Sequence, residues 1–445
     1  MKAAAPGRTP HPIALIIGLG LATGLAVSQQ PLLLIAAGLG VGLLAVSLRS
    51  PSWLVLGMFL GILFDRIGAT GAEVANLPIT ASKLSVLGSI GVWGVVSWLG
   101  PSRPVRWHPV LSAMVAVVAT VAACIAWSGS MENGRFTLFG LGMMTVLVGL
   151  VYAVLADRPL EPLYRSLGVA VCAALAMSVL RSGGVGEAGR ASGTMGDPNE
   201  WATMVLLLGP LLLGGVAEDR HWSARPLRLA LLLLVPLAVL LSGSRASVVV
   251  GALVAPGCIY LVRRHRGELL ACGALAVAAA PFALSLAPTL GRLRSLVENF
   301  QGGAVVRDQS LSERMELLRQ GQQLFLDNWF IGVGPGNFAE ASGFISENGR
   351  LRPAHNTYLE IASEQGLVGL LPAAIFVLVV ASTLYGGYRG ARRERDRARI
   401  LGASLGLGAV ALMAATLGLL TFSMAYLVLG VTLAVVAQSR HVDTL

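Results

Sequence analysis

The chain has 445 residues, of which 55% are hydrophobic and only 13% charged, with a formal net charge of +10 and a mean hydropathy of +0.73. A composition this apolar excludes a water-soluble globular enzyme and points to a polytopic membrane protein. The pI near 10.1 would by itself suggest a nucleic-acid partner. The positive charge instead gathers in the loops of one membrane side, which makes it a topology signal.

At the N-terminus, Lys2 and Arg8 precede an apolar run from Ile13, and Ala26-Val27-Ser28 imitates a signal-peptide cleavage site. A second apolar run follows almost at once, so the segment reads as an uncleaved first span. Uncharged runs begin near Ile13, Leu32, Trp53, Leu84, Val110, Phe136, Ser166, Trp201, Leu229, Ala246, Leu269, Asn356, Ile400 and Phe422. The Trp53 and Leu229 runs are short. At roughly 20 residues per crossing, the expected fold is an all-α polytopic membrane protein of about 12–14 transmembrane helices. Cys124, Cys172, Cys258 and Cys272 all fall inside apolar runs without ligand-like spacing and read as small buried hydrophobes.

Alternating the sides from a cytoplasmic N-terminus places about 20 of the 33 basic residues and about 8 of the 23 acidic ones inside. The positive excess is then cytoplasmic, as are both termini. The run YRGARRERDRAR, from Tyr388 to Arg399, is a topology anchor, with a lipid-headgroup or partner site as the alternative.

Chain length is invested on the other side. The organisation expected is N-terminal spans over 1–289, one large extracytoplasmic loop over 290–355 and C-terminal spans over 356–445, all in one membrane-embedded domain. Within the loop, Ser310-Leu311-Ser312-Glu313 resembles a capping box and opens an amphipathic helix. Its apolar stripe is read as Leu311, Met315, Leu318, Gln322 and Phe325, with Arg314, Glu316 and Arg319 off it, so the helix rests on the membrane surface or on the bundle. The segment DNWFIGVGPGNF then ends the helix in a glycine-rich turn, either a close approach to a ligand or a plain connector.

The stretch from Arg352 to Leu370, RPAHNTYLEIASEQGLVGL, carries charge straight into an apolar run. If a membrane helix starts near Asn356, Glu360 and Glu364 lie about 7 Å and about 13 Å below His355. Acidic groups at that depth ask for buried partners. They are either a helix terminus paired with basic loop residues or the floor of a reaction site with His355 as proton carrier. Two other outer segments bear on this choice. Arg190 lies in the polar, glycine-rich RSGGVGEAGRASGTMGDPNEW, and Arg245 in the short turn SGSRAS. Each is a snorkelling interface residue, or, together with Arg314, a grip on phosphate oxygens. No Walker loop, dinucleotide fingerprint or metal-ligand cluster is visible.

These pieces together resemble the O-antigen ligase and Wzy-type polymerase superfamily. The resemblance rests on Gly189-Arg190 to Asn199, on Ser242-Gly243-Ser244-Arg245, and on GVGPGNF followed by His355, Asn356, Tyr358, Leu359, Glu364, Gly366 and Gly369. It covers roughly Arg181 to Leu371. It implies a metal-independent, inverting glycosyltransferase without cofactor, in the bacterial cytoplasmic membrane, with its site on the outer face. The implied donor is an undecaprenyl-pyrophosphate-linked glycan, and the acceptor is a glycan or lipid core. Membrane lipids and polysaccharide assembly proteins are the other partners, and nucleic acid is not one.

Carried over by position, His355 is the general base or acceptor orienter, and Arg190 and Arg245 form the pyrophosphate clamp; Arg314 either joins that clamp or bridges to Glu360, Glu364 or Asp327. Glu364 orients an arginine or His355, Gly366 allows tight packing, Asn356 and Tyr358 line the acceptor groove, and Glu360 supports the same helix end. The motifs do not separate ligase from polymerase; the absence of any mark of a lipid-core acceptor favours polymerase slightly. A lipid-linked glycan flippase or transporter and a noncatalytic assembly scaffold are the competing classes.

Overall fold

The computed structural model describes residues 52–63, 73–74, 77–78, 86, 88–94, 107–181, 192–195, 197–219, 221, 224–285, 309–345, 349 and 351–440. The candidate spans near Ile13 and Leu32, Arg190 and the start of the large loop lie outside them. The chain divides into two compact units, Met1–Pro104 and Val105–Leu445.

In the first unit, α1 (Ser52–Leu63) is a short apolar helix with Val55, Met58 and Phe59 buried. Two two-residue strands, β1 (Glu73–Val74) and β2 (Leu77–Pro78), pair antiparallel. A ladder that small leaves the fold all-α.

The second unit is built from α2 (Pro109–Cys124, continued by a 3-10 turn to Trp127), α3 (Met131–Leu155), α4 (Glu161–Arg181), α5 (Pro198–Val216), α6 (Ala224–Leu241), α7 (Arg245–Leu261), α8 (Arg266–Ser285), α9 (Gln309–Asp327), α10 (Phe338–Ser342), α11 (Thr357–Gly390), α12 (Glu394–Met413) and α13 (Ser423–Arg440). Among the described residues six helices, α2, α3, α5, α6, α11 and α13, are long and apolar enough to cross a bilayer. The Leu229 run, short by sequence, is one of them. The chain is a polytopic all-α membrane protein.

The centre is α5, apolar on every side and buried from Trp201 to Val216. It packs antiparallel to α12 with backbone almost touching backbone. A Cβ on Gly402 would lie 2.3 Å from the Pro210 carbonyl oxygen, and one on Gly406 2.3 Å from that of Leu207. Lipid offers no hydrophobic gain for bringing helices together, so association depends on such close contact, which small residues permit.

Successive helices alternate in direction, so their turns collect at two ends. One end carries the ion pairs. Arg399 and Arg395 meet Glu161 at 2.9 and 2.6 Å, Arg228 meets Glu268 at 2.8 Å, and Arg165 meets Asp219 at 2.7 Å. The other end carries the α2–α3 turn, the start of α5, the Ser242–Ser244 turn, α9, α10 and the start of α11.

Candidate functional site

The construction of this second end begins inside α11. Gly366 has φ 59° and ψ −154°, so the helix breaks there and its backbone groups lose their helical partners. In hydrocarbon such groups must be satisfied by protein. The glycine-rich loop after α9 does this. Val333 N–H donates to the Ser363 carbonyl at 3.0 Å and Gly334 N–H to that of Glu364 at 2.8 Å. In return, Leu367 N–H donates to Trp329 at 2.9 Å and Val368 N–H to Phe330 at 3.1 Å. The approach leaves no room for side chains. A Cβ on Gly366 would lie 2.5 Å from the Phe330 carbonyl carbon, and one on Gly332 2.2 Å from that of Glu364. The loop and the break are therefore one interlocked element.

Glu364 is 2% exposed and locks the same loop. Its Oε2 accepts from Gly336 N–H at 2.7 Å and its Oε1 from Phe338 N–H at 3.0 Å, at the start of α10. This corrects the expectation that it orients an arginine or His355: its two oxygens hold backbone donors of the loop. The α2–α3 turn clamps the loop from the far side, Asn337 donating to the Ser128 hydroxyl while its own Oδ1 accepts from Asn133 at 3.2 Å.

The start of α11 is fixed just as firmly. Asn356 is the N-cap, its Oδ1 accepting from Tyr358 and Leu359 N–H at 3.0 and 3.1 Å. Thr357 donates through Oγ1 to Leu417 at 2.8 Å and accepts from Leu419 N–H at 2.7 Å. The Tyr358 hydroxyl donates to the Ala411 carbonyl at 2.6 Å. These bonds sew the helix onto the turn between α12 and α13, so Asn356 and Tyr358 carry architecture here. The Glu360 carboxylate lies against Gly418, its Oε2 3.3 Å from where a Cβ would be.

His355, immediately before this cap, is held at φ 48°, the one non-glycine residue with positive φ among the described residues. A non-glycine side chain there costs on the order of 1–3 kcal/mol and persists only where the surroundings enforce it. Burial pushes the imidazole below the usual histidine pKa. Arg314 and Arg352 push the same way, while Asp197 and Glu313 oppose them. The shift favours the uncharged ring, the form able to accept a proton. Arg352 reaches Glu313 at 4.0 Å, and its Nε is buried without a hydrogen-bond partner.

Arg314 and Glu313 reach the histidine from α9. Leu317 is 1% exposed and packs with Phe338 and Ala354, joined by Leu324 and Leu359, whereas Met315 is 59% exposed. The face that packs on the bundle is thus the one bearing Leu317 and Leu324, and Met315 lies off it. A Cβ on Gly321 would lie 2.5 Å from Leu359 Cδ2. The absent side chain lets α9 settle directly on the start of α11.

Of the expected residues, His355 and Arg314 thus come into electrostatic reach of one another. Arg245 begins α7 at the same end of the bundle, after a turn in which the buried Ser242 hydroxyl donates to the Val239 carbonyl at 2.6 Å and accepts from Ser244 N–H at 3.2 Å, while Ser247 in the first turn of α7 donates back to the Ser244 carbonyl at 2.7 Å. Arg190 lies outside the described residues. Three charged residues without an expected site role join the histidine: Asp197, Glu313 and Arg352. Asp197 could have been found, because Asp-Pro is an N-cap followed by proline at the first helical position. Its Oδ1 accepts from Asn199 and Glu200 N–H at 2.7 and 3.0 Å.

Residues 229–374 match the O-antigen ligase family. The similarity covers about a third of the chain. The matched stretch runs from within α6 to just past the break in α11, so it includes Arg245, α9, the interlocked loop, His355 and Glu364, and leaves out Asp197 and all of α12. No curated protein matches the chain closely enough to count as a relative.

Proposed function

We propose that this protein is a membrane glycosyltransferase that moves a glycan from undecaprenyl pyrophosphate to a sugar hydroxyl during surface-polysaccharide assembly. The observation that carries the reading is the backbone-strained His355, within electrostatic reach of Arg314 and Arg352, at the head of a helix locked by the glycine-rich loop of the stretch that matches the O-antigen ligase family. In the reaction the acceptor oxygen attacks the anomeric carbon as the bond from that carbon to the pyrophosphate oxygen breaks. The pyrophosphate leaves with the electron pair, and His355 takes the hydroxyl proton. A single displacement of this kind inverts the anomeric centre and calls on no metal.

A pyrophosphate leaving group gathers negative charge as it departs. Guanidinium groups in a poorly hydrated site match that charge. We assign this work to Arg314 and Arg352 beside the histidine, with Arg245 and Arg190 as the further clamp inferred from the superfamily resemblance. Pairing of Arg352 with Glu313 keeps the site from being uniformly cationic before the donor arrives.

The end bearing α9 and His355 is read as extracytoplasmic and the ion-paired end as cytoplasmic, in the bacterial inner membrane, because the arginine-rich turn before α12 obeys the positive-inside rule. Residues 290–355 then form the outer loop between two sets of spans. Polymerase is preferred to ligase on the absence of any lipid-core mark in the sequence.

Purified protein incubated with a lipid-linked repeat unit alone tests both levels. Polymer without a second acceptor supports polymerase, and product only after a lipid core is added supports ligase. Unchanged turnover in a folded His355→Gln variant would remove the catalytic assignment.

A further inference from the structure

Far from the His355 site, α11 and α12 leave a groove of about 320 Å³ between them at the ion-paired end of the bundle. Ala381, Leu384, Tyr385, Tyr388, Leu401 and Ser404 line it. The Ser404 hydroxyl donates to the Ile400 carbonyl at 2.7 Å, and the rest of the lining is alanine, leucine and the rings of two tyrosines. From Ala381 to Tyr388 the helix rises about 10 Å. That is a depth for part of an acyl chain.

The mouth has the opposite character. Arg389 stands one turn beyond Tyr385, its guanidinium 5.9 Å from that ring's centroid, and the exposed Arg393 follows in the turn to α12. The acids nearby are engaged by other cations. Glu394 meets Arg397 at 3.2 Å and Arg264 at 3.7 Å. Asp396 meets Arg399 at 3.8 Å and Arg395 at 4.0 Å. Among the described residues no carboxylate lies within ion-pairing distance of Arg389 or Arg393.

We propose that this groove binds an anionic phospholipid of the leaflet on the ion-paired side, one acyl chain lying between α11 and α12 and the phosphate resting on Arg389 and Arg393. A basic mouth above an apolar slot between membrane helices suits such a headgroup, and guanidinium groups grip its phosphate oxygens bidentately. A zwitterionic lipid brings a cationic headgroup to a mouth where neither arginine has a carboxylate partner. Free phosphate leaves the slot unfilled. The site is independent of the glycosyl-transfer reading and stands or falls separately from it.

The test uses the full chain in phosphatidylcholine nanodiscs doped with phosphatidylglycerol, with native mass spectrometry counting the lipid retained. The unmodified protein should retain phosphatidylglycerol in preference to phosphatidylcholine, undisturbed by inorganic phosphate. Replacing Arg389 and Arg393 with glutamine should weaken that retention about fivefold per arginine, the equivalent of about 1 kcal/mol each. Ala381→Trp fills the slot from an exposed position and should abolish retention with both arginines in place.

Thermal unfolding in pure phosphatidylcholine identifies which variants are folded, and either variant suffices as the test. Equal retention of the two lipids by the unmodified protein overturns the proposal. So does displacement by inorganic phosphate, or full retention by either folded variant.

Discussion

Replacing Gly366 with alanine isolates what the interlocked loop contributes. The new Cβ would lie 2.5 Å from the Phe330 carbonyl carbon, about 1 Å inside ordinary van der Waals contact. The φ of 59° with ψ −154° adds on the order of 1–3 kcal/mol for any residue with a side chain. Relief requires the loop to withdraw by about 1 Å. That stretches hydrogen bonds of 2.8–3.1 Å beyond useful length and moves the start of α11 relative to α9. A displacement of that size in a positioned site costs about 10²-fold in rate. The span itself remains apolar, so insertion should survive.

The matched control is Gly408→Ala in α12, where a Cβ meets nothing within 4 Å. Alanine is the better helix former by about 1 kcal/mol, so this variant should be neutral or slightly more stable. Both variants would be purified and compared by thermal unfolding and by turnover of a lipid-linked repeat unit. A folded Gly366→Ala protein with unmodified turnover would refute the idea that the loop and the break act as one element.

Three further outcomes follow from the same geometry. His355→Gln should lower turnover about 10²- to 10⁴-fold at neutral pH while leaving the unfolding temperature within a few degrees, read by rate and melting curve together. In the unmodified enzyme the pKa of His355 is lowered by burial and its cationic neighbours, so the rate should fall as pH drops through that lowered pKa. The stability sign agrees: the unfolded chain takes up the proton first, so the contribution of this group is full above the unfolded value of about 6.5 and is lost as pH falls from there through the lowered folded pKa. Arg352→Gln removes one cationic neighbour, and the acid limb of the rate profile should move to higher pH; no movement would deny electrostatic contact. Gly402→Leu places a branched side chain where a Cβ already lies 2.3 Å from a carbonyl oxygen, and should abolish monodisperse protein on size-exclusion chromatography.

Much of this architecture was legible in the sequence because a bilayer enforces simple rules. The runs starting near Val110, Phe136, Ser166, Trp201, Leu229, Ala246, Leu269, Asn356, Ile400 and Phe422 all coincide with helices of the second unit. Contacts between distant segments were less legible. The sequence shows both Gly332–Gly336 and Glu364–Gly366, but period and composition carry no sign that one supplies hydrogen-bond partners to the other. The protein-packed face of α9 was hard to read for a related reason: hydrophobicity favours Met315 and Phe325, whereas Leu317 and Leu324 meet Phe338 and Leu359 where Gly321 carries no side chain, which no apolarity scale rewards. Asp197 was passed over because its role as a helix cap is local, and its nearness to His355 appears only when α5 and α12 bring the start of α5 beside the start of α11.

The break in α11 also explains why acidic residues enter a membrane helix at all. A continuous helix would satisfy its own backbone and leave Glu364 as an isolated polar group in hydrocarbon, a cost with no return. Breaking the helix at Gly366 frees carbonyls at Ser363 and Glu364 and N–H groups at Leu367 and Val368, and these recruit the loop. The recruited loop brings its own unpaired N–H groups, at Gly336 and Phe338, and the Glu364 carboxylate is the acceptor they meet. Each irregularity supplies what the other lacks, so neither can be removed alone. The packing of α9 against Leu359 and Phe338 then keeps Arg314 within electrostatic reach of the strained His355. On this account the apolar depth of the helix is what makes the loop rigid, and the rigid loop is what holds guanidinium groups near the imidazole.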